Sequence, residues 1–297
     1  MQQSRQWKGK TGGGKFGQKS LFFMLRTINV SFFYPVLFVV VPFYMLFGRE
    51  GYIATIRYFK NCYGFSTWKS FWHTYKNHFI FGQVVLDKFA VWSGREDQFE
   101  VEVSGNEYIQ DLFNKNTGFI IASSHIGNFE LGGFAFKQDK KKLYGLVYSG
   151  ETQELQKNRI EATQKSNMNL ISVKEDMSHL FLIKEILERG DILTIPCDRI
   201  YGSPKKIKCE FFNRDAYFPF GPFRLAVQMD VPIVALFVMK NSWKKYHAYV
   251  CPVNINTEEQ NPVKKANTLA CYFVNKCEEI LRKYPQQWFN YYNFWKN

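Results

Sequence analysis

The chain has 297 residues, enough for one large domain or two modest ones, either able to bury a full core. Lys and Arg number 39 against 26 Asp and Glu, a formal charge of +13, and 18% of the residues are aromatic. That balance suits an anionic partner, and the aromatic content with an apolar N-terminal run favours phospholipid over nucleic acid, for which no binding module is present.

Residues 1 to 20 carry Arg5, Lys8, Lys10, Lys15 and Lys19 with no acid, and Gly12, Gly13 and Gly14 make this stretch a flexible basic arm. Val30 to Phe47 is then a run of 18 uncharged residues, close to the length that spans a hydrocarbon core. A secretory signal is disfavoured, since the run starts late and no small-x-small site follows. Pro35 and Pro42 each remove a helix hydrogen bond, which favours a re-entrant or interfacial helix over a simple span, both remaining open. Residues 1–50 are read as arm and membrane anchor, and 51–297 as the main domain.

Residues 52 to 92 have the pattern of amphipathic helices rich in aromatics. From Asn106 onward short apolar runs alternate with helical stretches. Strands are expected at 118–124, 143–149, 169–173, 191–197 and 232–240, with 247–253 as an antiparallel neighbour of the last. Helices are expected from Asn128, over 152–166, over 178–190 with Gly190 as the stop, over 220–230, and from Thr257 to Lys283. Residues 198–217 are expected to form a basic loop. The alternation predicts an α/β fold with a mostly parallel central sheet flanked by helices. The six cysteines (Cys62, Cys197, Cys209, Cys251, Cys271, Cys277) show no C-x-x-C pair and are read as free thiols of a reducing compartment. The five histidines do not cluster with them at zinc-ligand spacing, so no metal is expected.

The chemistry concentrates in His125-Ile126-Gly127-Asn128-Phe129-Glu130. The histidine follows a buried strand, where an α/β sheet presents its ligand-binding edge. On one ideal helix two residues five apart diverge by roughly 140°. His125 and Glu130 meet only if His125 lies in the loop and Glu130 in the first helical turn, with Gly127 allowing the bend and Asn128 as N-cap. Only His125 has an acid five residues on; His73, His78, His179 and His247 are followed there by His, Gln, Lys and Pro. A carboxylate so placed can hold one imidazole nitrogen while the other takes a proton from a hydroxyl. Cys197 is read as packing and not as a nucleophile, and no G-x-S-x-G elbow is present.

The string SSHIGNFELGG resembles the H-x4-D/E block of the bacterial lipid A late acyltransferases and, more loosely, of the glycerol-phosphate acyltransferases. Three further stretches follow in that family's order. IPCDRIYGSPKKIKCEFF (195–212) resembles the block in which an acid and a nearby basic residue handle the acceptor's charged headgroup, with Asp198 and Arg199 the best matches and Lys205 and Lys206 beyond. FPFGPFRLAVQMDVPIVALFV (218–238) resembles the helix–strand segment with a proline, here Pro232, at the strand start. YPQQWFNYYNFWK (284–296) resembles the aromatic C-terminal signature. That last stretch departs from the family: Asn290, Tyr291 and Tyr292 stand where a histidine and arginines are expected, which weakens a phosphorylated-sugar acceptor. In this it is similar to a subgroup associated with aryl-polyene or related lipid pathways.

The resemblance implies a membrane-bound acyltransferase without cofactor, moving a fatty acyl group from an acyl carrier protein or coenzyme A thioester to a lipid hydroxyl. It implies His125 as general base and Glu130 as the acid that orients it. Asp198, Arg199, Lys205 and Asn128 are assigned to substrate, and backbone N–H groups after His125 are candidates for an oxyanion hole. The implied setting is the cytoplasmic face of a bacterial inner membrane. A non-catalytic lipid-binding protein of the same fold is the competing reading.

Overall fold

Apolar stripes at helical spacing build a first, all-helical layer. The computed structural model describes residues 14–136, 140–147, 168–173, 178–200, 205–253 and 259–296, without the side chains of 14–19, 130, 134, 135 and 296. Helix α1 covers Gly14–Thr27, so the described part of the basic arm is already helical. A 3-10 segment at Val30–Val36 continues into α2 (Leu37–Phe47), followed by α3 (Arg49–Tyr63) and α4 (Thr67–Trp92). Val30, Tyr34, Leu37, Val41 and Met45 recur every three or four residues and are buried, packing with Leu86, Phe89 and Ala90 of α4. The opposite face of the same run is bare: Phe32, Phe38, Val39, Phe43, Leu46 and Phe47 are exposed, Phe47 to 87%. Val30–Phe47 is long and apolar enough to cross a membrane, and is the candidate anchor.

A mixed α/β unit follows. Its strands are β1 (Glu100–Ser104), β2 (Phe119–Ser123), β3 (Leu143–Val147), β4 (Met168–Ser172), β5 (Ile192–Pro196), β6 (Lys206–Glu210), β7 (Asp215–Pro219), β8 (Ile233–Lys240) and β9 (Lys245–Pro252). Its helices are α5 (Asn106–Asn114), α6 (Gly132–Ala135), α7 (His179–Glu188), α8 (Gly221–Met229) and α9 (Pro262–Lys283). Seven strands form one sheet in the order β1-β9-β8-β2-β5-β3-β4. The central sheet is mostly parallel; only β8 and β9 pair antiparallel. Every residue of β2 and of β8 is buried, as strands covered by helices on both faces must be.

Several sequence expectations change. Residues 198–217 are not a loop throughout: β6 and β7 form an antiparallel hairpin. Along β6 the lysines and glutamate face solvent while Ile207 and Cys209 face inward, a period-two pattern hidden by its high charge. Its two-residue turn holds Phe212 and Asn213 at φ of 54° and 55°, the left-handed backbone region whose turn matches the right-handed twist of paired strands. Edge strand β1 was not expected, because Glu100 and Glu102 alternate with valines on a half-exposed edge. The terminal helix begins at Pro262, capped by the Asn261 side chain, while 254–258 and the helix expected at 152–166 lie outside the described residues.

The cysteine reading is also corrected. Cys209 of β6 and Cys271 of α9 form a disulfide with Cα atoms 5.4 Å apart, leaving Cys62, Cys197, Cys251 and Cys277 free. The pair is 62 residues apart and meets only because the hairpin packs on α9, which spacing alone does not reveal.

Candidate active site

Strands β2 and β5 are neighbours in parallel register, Ser123 opposite Pro196. Two residues beyond each, His125 and Asp198 therefore leave the sheet side by side at its C-terminal edge. One Asp198 carboxylate oxygen accepts from the His125 backbone N–H at 2.9 Å, and the other lies 2.9 Å from Nδ1. The carboxylate is buried, whereas the imidazole is 26% exposed. Burial alone would raise the Asp198 carboxyl, but the His125 ring, its two N–H groups and Arg199 outweigh it and hold the group below its ordinary value. An ionised carboxylate only accepts hydrogen bonds, so Nδ1 carries a proton toward Asp198.

The carboxylate on Nδ1 is thus Asp198, where the sequence pointed to Glu130. Glu130 lies in a 3-10 turn, Phe129–Leu131, and its side chain is outside the described residues. No long helix starts at Asn128; the turn passes directly into the four-residue α6.

The loop between them is fixed from two sides. Asn128 N–H donates to the Val238 carbonyl at 2.7 Å and Gly127 N–H to the Gln287 carbonyl at 2.8 Å. The Phe289 N–H closes the clasp on the His125 carbonyl at 3.0 Å. Gly127 has a φ of 66°, and a Cβ on it would collide with the Val238 carbonyl oxygen, so both conformation and space call for glycine. The Gly127 and Asn128 N–H groups are thus both bonded within the protein. The clasp is itself held by Asn77 of α4, whose amide donates to the Gln286 and Trp288 carbonyls at 2.9 Å each. Gln287 reads the Lys240 backbone with both ends of its side chain, at 2.9 and 2.7 Å. Trp288, Phe289 and Phe294 of the aromatic tail are buried, so these rings pack against the domain.

The remaining predicted site residues divide. Arg199 stays at the site: its guanidinium donates to the Phe289 carbonyl at 3.0 Å and stands 5.7 Å from the Tyr292 ring centre. Lys205 is exposed at the foot of the β6–β7 hairpin. Asn128 is only 2% exposed, and its amide points to the Tyr246 hydroxyl at 3.4 Å. Cys197 is fully buried and bonds its own strand at Ile195; burial, then the charge of Asp198, pushes its thiol well up, so it is no thiolate nucleophile.

Asn128 leads into a buried polar cluster that sequence reasoning missed. Tyr246 donates to Asp87 of α4; Asp87 pairs with Lys240 at 2.5 Å and receives the Tyr34 hydroxyl at 2.5 Å. Lys240 also donates to the Trp243 carbonyl. The signal is a charge set in or against an apolar stretch: Asp87 within VVLDKFAVW, and Lys240 at the end of IVALFVMK. The cluster ties the candidate anchor, through Tyr34, to the loop carrying the imidazole.

A search of curated proteins returns no match. A family model described as bacterial lipid A biosynthesis acyltransferase matches residues 76–297, which include the greater part of α4, the whole sheet, the His125–Asp198 pair and the C-terminal clasp. By that match, over most of its length, the chain belongs to the bacterial lipid A biosynthesis acyltransferase family.

Proposed function

We propose that the protein transfers a fatty acyl group from the thioester of acyl carrier protein or coenzyme A to a hydroxyl of a lipid. The observation that carries this is the partly exposed His125 imidazole held at Nδ1 by Asp198, in a chain of an acyltransferase family. Nε2 takes the hydroxyl proton as the oxygen attacks the thioester carbonyl carbon, and Asp198 stabilises the imidazolium. Collapse of the tetrahedral adduct breaks the C–S bond, and the imidazolium returns its proton to the departing thiolate. The products are an ester and the free carrier thiol, and these steps use only the two substrates and side chains of this chain. Glu130, the acid of the H-x4-D/E block, stays in the reading as a second carboxylate besides Asp198. The acceptor is a lipid hydroxyl that does not depend on cations at 290–292, where the chain has Asn290, Tyr291 and Tyr292. Purified protein given labelled acyl thioester and a total membrane lipid extract is expected to yield a lipid species heavier by one acyl chain. Release of free fatty acid alone would reject lipid acylation.

We further propose that Val30–Phe47 lies along the bilayer surface. Its buried face is fastened to α4 and Tyr34 reaches Asp87, while the opposite face offers a row of bare rings. Exposed Trp243 packs edge-on against Tyr34 at 5.5 Å and adds an aromatic at the same level. Phe43→Ser and Phe47→Ser change only exposed positions. Each is expected to weaken binding to phosphatidylglycerol-containing vesicles by about tenfold or more, since a buried Phe contributes about 1.5–3 kcal/mol. Unchanged co-sedimentation of the double variant would exclude this face.

In the proposed orientation the catalytic domain faces the cytoplasm of the bacterial cell, at its inner membrane. The reducing thiol pool there opens disulfides. Cys209 and Cys271 are then expected to alkylate in intact cells without added reductant, as read by peptide mass spectrometry. Protection that persists until reductant is added would put the hairpin on the oxidising side and overturn this orientation.

A further inference from the structure

A cavity of about 130 Å³ lies where α3, the hairpin turn and the C-terminal tail meet. Its polar wall is Arg57 and Asn61 of α3, Arg214 of the turn, and Asn290 and Asn293 of the tail. Arg57 and Asn61 are four residues apart on one helix and share a face. Arg214 is delivered by the left-handed Phe212-Asn213 turn, which Glu278 of α9 secures by accepting the Phe212 N–H at 2.6 Å. Its guanidinium lies 4.7 Å from the Trp295 ring centre, an arrangement that orients the fork.

Charge is the telling feature. Among the described residues neither Arg57 nor Arg214 has a carboxylate partner. Glu278, the acid at the turn, is already bonded to Arg282 at 2.5 Å and to the Phe212 N–H. Two arginines and three asparagines thus line one small space without a compensating anion among the described residues, the Asn290 amide donating to the Tyr292 carbonyl at 3.0 Å. Forks arriving from different elements suit a tetrahedral oxyanion better than a single planar carboxylate. The cavity has room for several waters, hence for one phosphate and part of what carries it. Asn290 directly follows Phe289, whose N–H bonds the His125 carbonyl, so cavity and imidazole are built on one stretch of chain.

We infer that this cavity binds a phosphate group of one of the two substrates, its cations coming from α3 and the hairpin. The binding site stands on its own geometry; only the naming of the two sources rests on the acyl-transfer reading. Those sources are a lipid phosphomonoester headgroup and the phosphate of the thiol carrier.

The test uses the full chain in detergent and inorganic phosphate as the probe, read as a Tm shift at constant ionic strength. Wild type is expected to show a saturable rise with phosphate and none with chloride. Arg57→Gln and Arg214→Gln are each expected to weaken the half-saturation by about tenfold, the scale of one charged hydrogen bond of about 1.5–3 kcal/mol. Arg57 is exposed on α3, so R57Q keeps the test decisive should R214Q loosen the hairpin. Displacement of phosphate by phosphatidic acid in mixed micelles supports the headgroup source, and displacement by coenzyme A supports the carrier source. No phosphate-dependent rise, an equal rise in both variants, or displacement by neither compound overturns the proposal. Because no turnover is measured, failure here is distinct from failure of the acyl-transfer reading.

Discussion

Replacing His125 with Ala is expected to cut kcat for acyl transfer by at least about 10³-fold. The ring is partly exposed, but its loss takes one partner from the buried Asp198 carboxylate, so the Tm is read beside kcat to separate chemistry from stability. Asp198→Asn is expected to cost about 10³–10⁴-fold, because an amide can donate to Nδ1 and so turn the lone pair inward, away from substrate. The two residues act as one unit, so the double variant is expected to be no slower than H125A alone. Kinetics of the three variants on one thioester and one acceptor decide the point. Multiplying losses would show that Asp198 acts apart from the imidazole. Glu130→Gln in the same assay separates the carboxylates, and D198N is expected to lose more.

The second large effect is on stability. Asp87 and Lys240 form an ion pair with side chains 0% and 3% exposed, and burial pushes the Asp87 carboxyl up and the Lys240 ammonium down. Removing one member of such a pair strands the other charge in a dry interior, at a cost of about 3–5 kcal/mol. Asp87→Asn is therefore expected to lower the Tm by about 10 °C or more, given about 2–4 °C per kcal/mol for a protein of this size. Tyr246→Phe removes the hydroxyl that both Asp87 and Asn128 use, with an expected loss of about 1–3 kcal/mol. A D87N protein that melts at the wild-type temperature would show that the pair is not buried as described.

Much of the fold was legible because its signals are local. FIIAS, ILTIP and IVALFVMK are apolar runs of strand length, and HLFLIKEILE has a helical stripe, so these elements fall within a residue or two of expectation. KIKCE carries the alternation of a strand, but three of its five residues are charged and mask it. At the site, linear spacing points to the nearby Glu130, whose side chain lies outside the described residues, whereas Asp198 reaches the imidazole from the end of a strand that is adjacent only in the sheet. That pairing was latent in the sequence: His125 and Asp198 each stand two residues past an apolar strand, and in-register parallel strands bring equal offsets together. Nothing local marks Arg57 or Arg214, which share a cavity only once helix, hairpin and tail have met.

The clasp on the histidine loop has a consequence for biosynthesis. Gln287 and Phe289 emerge from the ribosome long after Gly127 and His125, whose backbone groups they complete. On the proposed reading, the apolar helices at Val30–Phe47 can settle on lipid while the imidazole loop is still unfinished, which would place membrane contact ahead of acyl transfer in the life of a nascent chain.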